Sequence, residues 1–218
     1  SRGAGGLFRN RREAGYLLAH KLKEEQVNFD LVLAIPRGGV ITAEVIAQHF
    51  DCPLDIIMAK KIGSPSLPEY ALGAVSLDGE VLVHHHMANR LADMDHDIMR
   101  QLTNDTIKEL RRRYALLRGN RSAIELKNRQ VLLVDDGIAT GFTIKAALDY
   151  LKRNGVASIV IATPVCSKNA CQFLEQEVNQ IVTLLVPEQF YAVSQFYKDY
   201  SAVEDREIIE MFSRNQTT

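Results

Sequence analysis

Two periodicities alternate along this chain. Runs of four or five consecutive apolar residues, as expected of strands buried on both faces, are separated by segments whose apolar residues recur every three or four positions, as on a half-buried helix. Asn10, followed three residues later by Glu13 and then by Leu17, Leu18 and Leu22, has the form of a capped amphipathic helix. Leu31, Val32, Leu33, Ala34 and Ile35 predict a buried strand ending in the turn Pro36-Arg37-Gly38-Gly39. Val40, Ala43, Ala47 and Phe50 continue at helical spacing, and a second strand is predicted over 54–58, closed by Lys60 and Lys61. Strand, turn, helix and strand make a βαβ unit.

Between residues 63 and 119 the pattern loosens. Ser64, Pro65, Ser66, Leu67 and Pro68 mark a loop, and Val75 and the apolar run Val81, Leu82, Val83 flank the hairpin signal Asp78-Gly79. An inserted, mobile region is expected here, followed by a long half-exposed helix through Ile98, Leu102, Leu110, Tyr114 and Leu117. The βα rhythm then resumes: a strand over 131–134, a helix over 143–153 closed by Gly155, a strand over 158–162, a helix capped by Ser167 and running to 178, and a strand over 181–186. Ser201 and Glu204 have the spacing of a capping box and predict the start of the last helix. Repeated βα units imply an α/β fold, a mostly parallel sheet covered on both faces, with ligands at the carboxyl ends of its strands. Residues 8–212 are read as one domain, and residues 1–7 as an expression remnant or disordered end.

Composition narrows the function. With 46% apolar and 24% charged residues among 218, the chain is neither disordered nor collagenous, and three cysteines make no disulfide framework. A reducing cytoplasm is the expected compartment. No apolar run approaches the roughly 18 residues of a membrane span. Lys and Arg total 26 against 27 Asp and Glu, a net charge of −1, which disfavours a whole-protein nucleic-acid or membrane-surface binder. Any anion site must therefore be local.

The segment 131–143 carries the most chemistry: four strand residues, then Asp135 and Asp136, then Gly137, Ile138, Ala139, Thr140, Gly141, Phe142 and Thr143. Gly137, Ala139 and Gly141 let the loop backbone approach a ligand, and the N–H groups of the loop and of the following helix start are unpaired donors at a positive dipole end. This is a phosphate cradle, to which Thr140 and Thr143 add hydroxyls. No Walker lysine follows, so a fixed monophosphate suits it better than a triphosphate. Two carboxylates beside a phosphate site need a partner, and vicinal sugar hydroxyls or a metal's water shell supply one. A plain strand-to-helix turn capped by an Asp is the bland alternative.

These residues resemble the signature of the type I phosphoribosyltransferases: four apolar residues, two acids and a Thr/Gly phosphate grip. Gly137 departs from the usual aliphatic residue or Ser of that pattern. The chain is also similar to a less characterised bacterial branch of the family through Pro36-Arg37-Gly38-Gly39-Val40, Lys60-Lys61-Ile62-Gly63 and Pro68-Glu69-Tyr70-Ala71-Leu72-Gly73, so the likeness covers most of residues 8–212. It implies the three-layer parallel-sheet fold of that family, with the 63–119 region inserted and a small hood at 186–200. It also implies an Mg²⁺-dependent transfer of the phosphoribosyl group from phosphoribosyl diphosphate to a nitrogenous, base-like acceptor. In that reading Asp135 and Asp136 bind the ribose 2′- and 3′-hydroxyls, and the 137–143 loop binds the 5′-phosphate. Arg37, Gly38 and Gly39 form the diphosphate loop, and Lys60 or Lys61 faces the same leaving group. Mg²⁺ is held mainly by the diphosphate and the ribose, with few direct protein ligands, and no residue is assigned to it as a metal ligand. Arg37 and Lys61 are counted with the two acids as catalytic.

The acceptor is less legible. Family members that use 6-oxopurines carry an acid three positions after the second Asp; here that position is Ala139, which disfavours hypoxanthine and guanine. Phe190, Tyr191, Phe196, Tyr197 and Tyr200 in the hood either sandwich a small planar acceptor or pack the C-terminal helix. A noncatalytic phosphoribosyl diphosphate sensor is the rival reading, with the basic 108–129 segment as its partner surface; a homodimer stays open. His84-His85-His86 reads as a surface run and not a metal site, because strand neighbours alternate faces. Cys166 and Cys171 read as small core residues. A receiver domain would place its acids after the first strand, and a haloacid-dehalogenase-type phosphatase needs Asp-x-Asp; neither explains residues 36–39.

Overall fold

The computed structural model describes residues 7–64, 71–85 and 94–214. Its central sheet has five strands: β1 (Leu31–Ala34), β2 (Leu54–Ile56), β6 (Gln130–Val134), β7 (Ser158–Val165) and β8 (Gln180–Leu185). All pair in parallel in the order β2-β1-β6-β7-β8. Side chains alternate faces along each strand, so each strand feeds two cores. Val32, Ala34, Leu132, Val134, Val160 and Ala162 meet α1 (Arg11–Glu24), α2 (Gly38–Phe50) and the last helix, α6 (Asp205–Arg214), in one core. Leu31, Leu33, Val131, Leu133, Ile159 and Ile161 meet α4 (Phe142–Arg153) and α5 (Lys168–Glu175) in the other. This is the expected three-layer arrangement. Strand order reverses between β1 and β6, so the loops leaving those two strands diverge to opposite faces and open a crevice between them.

Lys60 and Lys61 do not close β2. They lie in a separate strand, β3 (Ala59–Gly63), of an antiparallel sheet completed by β4 (Ala71–Ser76) and β5 (Val81–Val83). The Asp78-Gly79 hairpin is as predicted, but it is no loose appendage. Leu72 and Val75 are buried in the second core, and the Ser76 hydroxyl donates to the Ala146 carbonyl of α4 at 3.0 Å. The long helix α3 (His96–Arg118) is anchored at its far end by a buried bidentate pair, Arg118 to Asp55 of β2 at 2.9 and 3.0 Å. Pro68, Glu69, Tyr70 and His86 fall outside the described residues.

Local signals explain most element ends. The Asn10 Oδ1 accepts from the Glu13 N–H at 2.9 Å, while the Glu13 carboxylate accepts from the Arg9 N–H at 3.1 Å. Ser167 caps α5 through the Ala170 N–H, although that helix stops at Glu175 and not 178. The last helix starts at Asp205, not near Ser201. Ser201 turns back to bond Asp199, and the Glu204 N–H instead donates to the Glu207 carboxylate at 2.7 Å, moving the capping-box pattern three residues onward.

Candidate active site

The loops after β1 and β6 meet at the reversal of strand order. Gly38 and Gly39 lie directly against the acid pair: a Cβ on Gly38 would stand 2.0 Å from the Asp136 Oδ2, and one on Gly39 would stand 3.0 Å from the Val134 carbonyl oxygen. No larger residue fits at Gly38 without displacing the carboxylate.

Asp136 is 6% exposed and closely held. Its Oδ2 accepts from the Arg11 Nε and from the Tyr200 hydroxyl, each at 2.9 Å, and its carbonyl accepts from the Tyr197 hydroxyl at 2.5 Å. The Arg11 guanidinium also donates to the Ser201 carbonyl at 2.6 Å and stacks over the Tyr200 ring at 4.0 Å. Burial works against the Arg11 charge, but hydrogen bonding and attraction to Asp136 outweigh it and raise its pKa. Burial and the nearby Asp136 charge push the Tyr200 hydroxyl up to about 12. Among the described residues Asp135 has no salt-bridge partner; burial, then the Asp136 charge beside it, raises its carboxyl well above the usual range.

The loop after the acid pair leads into a helix start that no side chain caps. Helix α4 is preceded at its N-cap by Gly141, in the left-handed region (φ 78°), so its first N–H groups lack intrahelical acceptors. Thr140 and Ala139 are exposed at the turn. Ile138 is a correction: it is 2% exposed, and its N–H is consumed by the Val165 carbonyl at 2.9 Å, so it splints the loop to β7 and has no donor to offer a phosphate. The Phe142 ring is buried against Ala74 and Ala146 and stacked on His84 at 3.7 Å, which leaves only its backbone to face the loop. Gly137, the departure from the family pattern, lies directly under Val193 of the 186–200 segment: a Cβ there would stand 2.5 Å from the Val193 Cγ1.

Arg37 and Lys60 line one cavity of about 320 Å³ with Pro36, Met58, Leu110 and Arg113. Lys61 is exposed and not among the residues lining it. The aromatics of the 186–200 segment mostly pack on one another, Phe190 on Phe196 at 5.1 Å and Tyr197 on Tyr200 at 5.3 Å, while Tyr191 stays 82% exposed. Sequence reasoning missed Arg11, Tyr197 and Tyr200 as partners of the acid. One signal was present: Arg11 heads the stripe that continues through Ala14, Leu18 and Leu22, an odd place for a charge unless a buried anion meets it.

Comparison with known proteins gives a consistent result. A family model described as the phosphoribosyl transferase domain matches residues 12–201. The chain is 33% identical over 208 residues to a Mycobacterium tuberculosis protein named provisionally as a phosphoribosyl transferase, covering 95% of this chain and 47% of that one. It thus spans about half the length of the curated relatives it matches. Among solved structures it is similar to the protein TT1426 from Thermus thermophilus, with 35% identity and a TM-score of 0.80 over 95% of this chain and 98% of the other. A purine phosphoribosyltransferase from Pyrococcus horikoshii shares the fold at 18% identity and a TM-score of 0.50, over 91% and 98% of the two chains.

Proposed function

The chain belongs to the phosphoribosyl transferase domain family, and from that premise we propose that it transfers the phosphoribosyl group of phosphoribosyl diphosphate to a nitrogenous, planar acceptor with release of diphosphate. One observation carries this reading: an acid pair and an uncapped helix start follow β6, and a cationic cavity that includes Arg37 lies at the end of its neighbour β1. A substrate with a phosphate at one end, a diol in the middle and a diphosphate at the other matches that succession of groups.

Each group then has a task. The N–H groups at 139–143 and the Thr140 hydroxyl hold the 5′-phosphate against the positive end of α4. Asp135 and the Oδ1 of Asp136 accept from the ribose hydroxyls, with Arg11 and Tyr200 fixing the second carboxylate from behind. Arg37 and Lys60 neutralise the diphosphate as it departs and leaves oxocarbenium-like charge on the sugar. Lys60 is preferred to Lys61 because it shares the cavity with Arg37. Mg²⁺ suits this donor set, two adjacent carboxylates beside the proposed diphosphate, because it keeps its waters and takes phosphate oxygens readily. When bound, it neutralises charge on the leaving group. Ala139 leaves no carboxylate for a 6-oxopurine ring nitrogen, so other acceptors are favoured.

The test is diphosphate release from phosphoribosyl diphosphate with Mg²⁺ across a panel of purine, pyrimidine and non-nucleobase acceptors. Acceptor-dependent release is expected. Tight binding of the sugar without turnover on any acceptor would replace the enzyme with a sensor, and absence of binding would remove both.

A further inference from the structure

The cationic cavity contains one guanidinium that no motif announces. Arg113 comes from α3, far in sequence from Arg37 and Lys60, yet lines the same cavity of about 320 Å³. Its nearest acid is Asp205, the first residue of α6, at 3.0 Å from Nη2 to Oδ1. The same Oδ1 stands 3.9 Å from Arg37 Nη1, so one carboxylate oxygen is shared between two guanidinium groups. Two further facts set Arg113 apart from an ordinary surface ion pair. Its Nε is buried and has no acceptor among the described residues, a costly state for an N–H. The side chain as a whole is only 26% exposed, so solvent does little to offset that cost.

A guanidinium carries five donors in a fixed fork, and a single shared carboxylate oxygen satisfies few of them. A polyphosphate oxyanion offers several acceptors at once and more charge than Asp205. We propose that Arg113 is a third cation of the anion cavity, and that Asp205 occupies its guanidinium until an oligo-anionic ligand displaces it. The proposal rests on reading this cavity as the diphosphate subsite. It makes the start of the C-terminal helix part of the binding event, because the ligand and Asp205 compete for the same two arginines.

Isothermal titration of inorganic diphosphate with Mg²⁺ into the full chain tests this. Arg113→Met should weaken binding about tenfold, the worth of a hydrogen bond to a charged group. Arg113→Lys should restore part of it, since the charge returns without the fork. Asp205→Asn should tighten binding several-fold by removing the competitor, and that gain should shrink when Arg113→Met is also present, leaving only the smaller part that comes from Arg37 at its longer contact. Unchanged affinity in Arg113→Met overturns the proposal, as does an Asp205→Asn gain of equal size with and without Arg113, which would be long-range charge alone. If Arg113→Met does not fold, the Lys and Asn variants decide. Arg37→Met separates the two readings: weakened binding there with none in Arg113→Met sinks only this inference, whereas no diphosphate binding to the unaltered chain sinks the subsite itself.

Discussion

The acid pair and the cationic cavity sit at neighbouring strand ends of one sheet, yet they are assembled by opposite rules. Asp136 is 6% exposed, bonded by Arg11 and Tyr200 at 2.9 Å, and pressed against a glycine that has no side chain to give way. Across the crevice, Arg37 is half exposed and its carboxylate contact is long, at 3.9 Å. The difference follows from solvation. A short carboxylate at the end of a buried strand cannot reach water, so the fold must supply its partners in advance. Long cationic side chains can keep their heads in solvent and wait for a ligand. The acid end of the crevice is therefore built during folding, and under the proposed function its cationic end is completed by binding. Substitutions should separate accordingly, costing stability on one side and affinity on the other.

The largest effect should come from Arg11→Met. It leaves the Asp136 carboxylate buried without its cation, a change worth about 3–5 kcal/mol of folding stability when a buried pair is broken from one side. Tyr200→Phe removes one of the two donors to the same oxygen and should cost about 1–3 kcal/mol. Urea denaturation of both variants checks the order. If Arg11→Met costs no more than Tyr200→Phe, the acid end is held by packing and not by charge, and the contrast between the two ends loses its basis.

Much of this site can be read from the chain, and what escapes reading does so for identifiable reasons. The strand ends, the acid pair and the uncapped loop are local, so short-range pattern finds them. Lys60 and Lys61 read as the close of β2 because Ala59, Lys60, Lys61, Ile62 and Gly63 carry little apolar periodicity; what makes them a strand is pairing with β4, which begins at Ala71. Ser201 and Glu204 have correct capping-box spacing, but Asp199 captures the serine first. The hood aromatics are legible as a cluster, whereas the use of Tyr197 and Tyr200 as donors to Asp136 depends on a contact spanning 61 and 64 residues, beyond any local pattern. Gly137 is visible as a departure, and its reason, the Val193 methyls, comes from the opposite end of the fold.

A smaller effect sharpens the comparison within the acid pair itself. Burial and the adjacent Asp136 raise the Asp135 carboxyl in the folded chain, so folding favours its protonated form. Its contribution to stability is then greatest below the ordinary carboxylate range and is lost as pH rises through that range toward the elevated folded value. Asp135→Asn removes the group that suffers. The variant should be more stable than the parent at neutral pH, by on the order of 1 kcal/mol, with the advantage shrinking at about pH 4. It should at the same time bind phosphoribosyl diphosphate more weakly, since an amide loses charge-assisted bonds to the diol. Urea midpoints at about pH 4 and about pH 8 read the first part. A variant less stable than the parent at neutral pH would show that Asp135 has a compensating partner, making the two acids alike.

The smallest stability effect belongs to the other side of the crevice. Arg37 is half exposed, and its one carboxylate contact among the described residues is shared with Arg113 and long. Arg37→Met should therefore change folding stability by no more than about 0.5 kcal/mol, the ordinary range for a surface substitution. Its affinity for diphosphate with Mg²⁺ should nonetheless fall by about tenfold or more, and the dependence of binding on salt should flatten, because one cation fewer meets the anion. Thermal unfolding and titration on the same preparation give both numbers. A stability loss approaching that of Arg11→Met would mean that the cationic end is also prebuilt, with Arg37 held by the fold as firmly as Arg11. A small loss with unchanged affinity would leave Arg37 as a solvated turn residue. Only the combination of intact fold and weakened binding fits a cation kept in reserve for the ligand.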